Sequence, residues 1–128
     1  MRLLLDTHAV LWFATGHSAL SPAARAQATN PANEVLVSHV TAWELAIKTG
    51  IGKLKLDREL SLWLERYVVG NGFGTLPIEL DHVVAVARLP HHHGDPFDRL
   101  LVAQCGAEHL ALVSRDSMFD TYGIKRVW

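Results

Sequence analysis

Asp6, Glu44, Asp98 and Asp116 are the residues of this 128-residue chain whose type and placement suit them to chemistry. Leu3-Leu4-Leu5 runs straight into Asp6, and Val35-Leu36-Val37-Ser38 leads to a helical stretch carrying Glu44. Leu110-Ala111-Leu112-Val113 ends just before Asp116, while Asp98 opens the helix that starts in Asp95-Pro96-Phe97-Asp98-Arg99. In an open parallel sheet the carboxyl ends of the strands face one crevice, where ligands bind. The four acids therefore converge. Like charges at close range repel and raise each other's pKa unless a cation lies among them. The cation suited to an all-oxygen set is a hard divalent ion, Mg2+ or Mn2+, as one ion or two.

Each acid also has a structural reading. Asp6 is a good N-cap for the helix that follows, and a cap can be a ligand as well. Thr41-Ala42-Trp43-Glu44 fits a capping box, and Glu44 with Lys48 fits an i,i+4 pair worth about 0.2–0.5 kcal/mol. The apolar neighbours Trp43, Leu45 and Ile47 make a surface pair less secure, and the company of Asp6 favours a ligand. Asp95 before Pro96 reads as an N-cap. Asp98 sits further into the first turn, where the helix dipole favours a carboxylate and the side chain points back toward the crevice. Asp116 is either a ligand or a turn residue, and Asp120 reads as solvent-exposed.

The elements that must carry these residues follow from the apolar pattern. Strands are expected at Arg2–Leu5, Glu34–Ser38, Phe73–Ile78, Ala111–Ser114 and Lys125–Trp128. Helices are expected from Thr7 to about Ala14, from Ser21-Pro22 to about Thr29, over His39–Thr49, near Asp81–Arg88, and from Asp95-Pro96 to about Glu108. A further helix capped by Asp57 carries Leu60, Trp63, Leu64, Tyr67 and Val68 at helical spacing. Strands alternating with helices predict a three-layer α/β/α domain around a central parallel sheet, with residues 1–128 as a single domain.

Composition narrows the class. With 49% apolar and 20% charged residues the chain is ordinary globular protein, and its net charge of −1 is no footprint of a basic nucleic-acid binder. Arg99, Arg115, Lys48, Lys53, Lys55 and Arg58 can still supply a basic rim that the total hides. The single cysteine, Cys105, lies in an apolar helical stretch and reads as a buried filler. With no disulfide framework, no secretory pattern and no membrane-length apolar run, a cytoplasmic protein is expected, with no membrane partner. His91-His92-His93 reads as a solvated loop, with His93 the candidate exception, because adjacent residues cannot all face one ion and spaced zinc ligands are missing. Trp12, Trp43, Trp63 and Trp128 read as core.

Leu4-Leu5-Asp6-Thr7-His8, Ser38-His39-Val40-Thr41-Ala42-Trp43-Glu44-Leu45-Ala46-Ile47-Lys48 and Gly52-Lys53-Leu54 together resemble a PIN domain. His93-Gly94-Asp95-Pro96-Phe97-Asp98-Arg99-Leu100-Leu101-Val102-Ala103-Gln104 and Val113-Ser114-Arg115-Asp116 extend the resemblance over essentially the whole chain. It is specifically similar to the toxin subunits of VapBC-type toxin–antitoxin modules. The resemblance implies a metal-dependent endoribonuclease, with Asp6, Glu44, Asp98 and Asp116 at the matching site positions. It also implies a homodimer and an antitoxin that occludes the site. Hydrolysis of RNA through a metal-activated water would leave a 5′-phosphate and a 3′-hydroxyl.

Two further expectations follow. The first helix and the Asp57–Val69 helix carry more apolar residues than one sheet face needs, which points to interfaces there. A phosphoaspartyl phosphatase also places an acid after its first strand but needs a second acid two residues on, where His8 stands. A DNA-directed nuclease of the same fold, or an inactive PIN-type binding module, are the remaining alternatives.

Overall fold

The computed structural model describes residues 1–128. Its centre is β1 (Arg2–Leu5), flanked by β2 (Glu34–Ser38) and β4 (Ala111–Val113), with β3 (Gly74–Leu76) and β5 (Arg126–Val127) at the edges. The order is β3-β2-β1-β4-β5 and every pairing is parallel. Parallel neighbours need long crossovers. These are made by α1 (Thr7–Thr15) and α2 (Pro22–Thr29), by α3 (His39–Gly50) and α4 (Leu60–Tyr67), and by α5 (Leu80–Val86) and α6 (Pro96–Glu108). The expected three-layer α/β/α architecture is thus present.

Strand side chains alternate between faces, and each face builds its own core. Leu3, Leu5, Val35, Val37, Ala111 and Val113 pack on one side with Ala9, Val10, Leu45 and Trp63. Leu4, Leu36 and Leu112 pack on the other with Val40, Leu101, Val102, Cys105 and Phe119. A strand covered on both faces has no polar alternation, which is why the leucine run reads as it does. No helix is long and apolar enough to cross a membrane.

Most boundaries fall where local chemistry puts them. The Ser21 hydroxyl accepts from Ala24 N at 3.0 Å with Pro22 in the first turn, and Asp95 accepts from Asp98 N at 3.0 Å ahead of Pro96. Gly16 ends α1 in the left-handed region at φ 65°.

Several expectations are corrected. Asp57 does not cap α4, whose N-cap is Glu59; its carboxylate instead pairs with Arg58 and accepts from the Tyr67 hydroxyl at 2.6 Å. β3 pairs only over Gly74–Leu76, because Pro77 brings no N–H to the ladder. Trp63 is core at 2% exposure, but Trp43 is 51% exposed, with its ring edge-on to Phe97. The surplus apolar surface expected around α4 is present in Leu62, with Val69 just beyond the helix, while Trp63 is buried; α5 adds Leu80, Val83 and Val84, which are exposed as well.

Candidate active site

The adjacent carboxyl ends of β1 and β4 start the site. Leu5 pairs with Val113, and the Asp6 amide donates to the Val113 carbonyl at 3.1 Å. β1 is followed in sequence by β2 on one side and borders β4 on the other, so the crevice opens at the point where the strand order reverses. Asp6 Oδ1 accepts from Ala9 N at 2.8 Å, so it caps α1 and also faces the crevice. Its burial pushes the carboxyl above its ordinary pKa and the nearby Glu44 charge adds to that, against hydrogen bonds from Ser114 and Ala9 and the influence of His8.

Glu44 enters from α3 and is buried. α3 begins at His39 with the Ser38 hydroxyl accepting from Val40 N, so Thr41 is inside the helix and no Thr41–Glu44 capping box exists. The Thr7 hydroxyl instead donates to Glu44 Oε1 at 2.7 Å, and Lys48 pairs with Oε2 at 2.5 Å. The i,i+4 pair is therefore formed by a carboxylate that is itself buried.

Asp98 arrives from the first turn of α6. Burial raises its carboxyl to about 6, with the charges of Asp95 and Asp6 adding and the neighbouring His93 opposing. His93 Nε2 lies 3.4 Å from Asp98 Oδ2, so this histidine is indeed the exception in its triplet. Asp116 is exposed and caps the 3-10 turn Ser117–Tyr122 by accepting from Met118 N at 2.9 Å. It lines a crevice of about 350 Å3 together with Asp6, His8, Trp12, Ser114 and Arg115.

Asp6 is the hub of this arrangement: it feels the charge of Glu44, its own charge acts on Asp98, and it shares the crevice with Asp116. The four acids do not close up, however, and no three His, Cys, Asp or Glu side chains stand close enough to hold a metal. The donor set nonetheless suits Mg2+ or Mn2+, being all carboxylate oxygen. Repulsion among Asp6, Glu44 and Asp98 is what a bound cation would relieve, and Lys48 is the one lysine or arginine paired with any of these acids.

Other residues take unexpected places. Arg99 is no phosphate contact: it is buried, and its guanidinium donates to the carbonyls of Pro90, Val86 and Leu89. Arg115 stays exposed at the crevice, 6.0 Å from the Trp12 ring. Cys105 is buried and its thiol is pushed up to about 12, so it is inert. Sequence reasoning missed Thr7 and Ser114, the hydroxyls that hold Glu44 and Asp6, because Ser and Thr carry no spacing signal of their own.

The chain can now be set beside known proteins. The sequence profile of the PIN domain family matches residues 3–125. Among solved structures it is similar to VapBC2 from Rickettsia felis bound to a DNA fragment from their promoter, at 15% identity and a TM-score of 0.75, covering 98% of this chain and 97% of that one. It is also similar to FitAcB from Neisseria gonorrhoeae, at 18% identity and a TM-score of 0.62, covering 97% and 95%. VapBC-1 from nontypeable Haemophilus influenzae gives 11% identity and a TM-score of 0.67, covering 98% and 96%. At these identities the structures speak for the fold alone. Among curated proteins none matches the sequence. With the profile spanning nearly its whole length and the fold agreeing, this chain belongs to the PIN domain family, whose members are generally nucleases.

Proposed function

We propose that the protein is a metal-dependent endoribonuclease and the toxin component of a toxin–antitoxin pair. The observation that carries this reading is the gathering of Asp6, Glu44 and Asp98 from distant segments: burial raises the pKa of Asp6 and of Asp98, the Glu44 charge adds to the first and the Asp6 charge to the second. Buried acids crowded in a crevice are what a functional site requires and what a core avoids. PIN nucleases generally use divalent metal ions. Asp6, Glu44, Asp98 and Asp116 would hold Mg2+ or Mn2+, which when bound makes a nucleophilic water available and offsets charge on the phosphoryl group.

The chain's own residues do the rest. The Asp6 carboxylate is fixed by Ala9 N and Ser114, so it reorganises little when a ligand arrives. Thr7 fixes Oε1 of Glu44, and Lys48 must release Oε2 for that oxygen to serve a ligand. Arg115, exposed and lining the crevice, would meet a substrate phosphate.

An apolar groove of about 600 Å3 supports the antitoxin part of the reading. Leu11, Ala14, Leu54 and Trp63 line it, and it shares His8 and Trp12 with the acidic crevice. A partner segment with apolar side chains for the groove and a cationic one for the acids would close both at once. Two similar structures are of complexes bound to DNA fragments, which is consistent with a pair that also contacts DNA. A homodimer belongs to the same reading, and the exposed apolar face of α5 supplies surface for it.

The test is cleavage of cellular RNA by the purified chain. Activity should require Mg2+ or Mn2+, stop with EDTA and leave 5′-phosphate ends. Full activity in excess chelator, or a 2′,3′-cyclic phosphate product, would overturn the metal mechanism.

A further inference from the structure

Asp98 is approached from one side by a run of side chains that neither the acid cluster nor the apolar groove explains. Arg99 Nη1 donates to the Pro90 carbonyl at 2.8 Å, and Nη2 reaches the carbonyls of Val86 and Leu89, so backbone fixes the guanidinium. Nη1 also donates to the Tyr122 hydroxyl oxygen at 3.2 Å. That oxygen lies 2.6 Å from His93 Nδ1, and His93 Nε2 lies 3.4 Å from Asp98 Oδ2. Counting protons sets the direction of the chain. An ionised carboxylate only accepts, so Nε2 carries the hydrogen. A neutral imidazole has one N–H, so Nδ1 accepts and the Tyr122 hydroxyl donates to it. The tyrosine oxygen in turn accepts from Arg99. Each link then has one donor and one acceptor.

We propose that Arg99, Tyr122 and His93 form a hydrogen-bonded relay that positions the Asp98 carboxylate for a divalent cation. This rests on the reading of Asp98 as a metal-site residue. The relay engages Oδ2 and leaves the second oxygen without a hydrogen-bond partner, as partners behind a ligand commonly do. The last link is long at 3.4 Å, and such contacts often tighten only when a site is loaded. Tyr122 ends the 3-10 turn that Asp116 caps, so the same turn positions a second acid of the crevice. The sequence separates His93 from Tyr122, which is why the triplet alone pointed to no partner. Tyr122 and His93 are positioning residues.

The experiment pairs a spectroscopic readout with metal affinity, both on the full chain. Histidine 15N–1H correlation spectra in EDTA should show His93 as the Nε2–H tautomer, with that preference lost in Tyr122→Phe. Finding His93 as the Nδ1–H tautomer in the wild type would overturn the relay, as would an unchanged spectrum in Tyr122→Phe. In Mn2+ titration calorimetry, Tyr122→Phe and His93→Leu should bind about 10-fold more weakly or worse. His93→Gln, whose amide can replace the Nε2–H donor, should stay close to wild type. Equal losses in His93→Gln and His93→Leu would mean the histidine only shapes its loop, and the proposal would fall. Asp98→Asn separates the two levels. If it binds Mn2+ as tightly as the wild type, the metal-site reading fails, while the tautomer spectra still decide whether the relay exists.

Discussion

Replacing Asp98 by Asn should stabilise the metal-free protein. In the fold this carboxyl stands at about 6 against an ordinary 3.8, chiefly from burial and then from the charges of Asp95 and Asp6. At 1.36 kcal/mol for each decade of proton affinity, ionisation in the fold costs about 3 kcal/mol. The side chain is 28% exposed, and screening there reduces the effective cost to about 1–2 kcal/mol. Between 3.8 and about 6 the folded protein holds more protons on this group than the unfolded chain does. Stability therefore falls as pH rises through that window and levels off above it. Asn cannot ionise and keeps an acceptor for His93. Urea melts in EDTA should show the two proteins nearly equal at about pH 4 and Asp98→Asn ahead by about 1–2 kcal/mol above about pH 7. Excess Mn2+ should reverse the order, since a ligand that binds only the folded state stabilises the protein that can hold it. An Asn variant that is less stable than wild type at every pH would refute the claim that Asp98 is electrostatically strained.

Asp6→Asn and Asp98→Asn should each abolish RNA cleavage in single-turnover assays while circular dichroism stays native. Asp95→Asn should cost little, because Asn caps a helix about as well as Asp; equal inactivity of Asp95→Asn and Asp98→Asn would show that the division of labour between them is wrong. Arg99→Leu should lower stability by roughly 1–3 kcal/mol in denaturant melts, since it removes the buried guanidinium's donors from the part-buried carbonyls of Pro90 and Leu89. Thr15→Arg, at an exposed position lining the apolar groove, should leave cleavage intact but weaken neutralisation by a co-expressed antitoxin, measured as growth; unchanged neutralisation would remove the groove from the partner's path.

What the amino-acid order settled by itself was whatever depends on neighbours a few residues away. The Leu3–Leu5 run, the Ser21-Pro22 and Asp95-Pro96 starts, and the order of strands and helices are local, because strand burial and helix capping are local. The placement of four acids just beyond those elements was legible for the same reason: in a parallel sheet, strand ends define one edge. The tertiary structure decided everything that depends on a distant partner. Arg99 turned inward because unpaired carbonyls of a separate segment awaited it. Asp57 left its helix end because the Tyr67 hydroxyl reached it from further along the chain. Trp43 stayed half exposed on a helix whose burial depends on which face meets the sheet, and hydrophobicity alone does not set that face. Likewise, only packing made Asp6 the hub of the acids and joined His93 to Tyr122, because contacts between remote segments leave no spacing in the sequence to read.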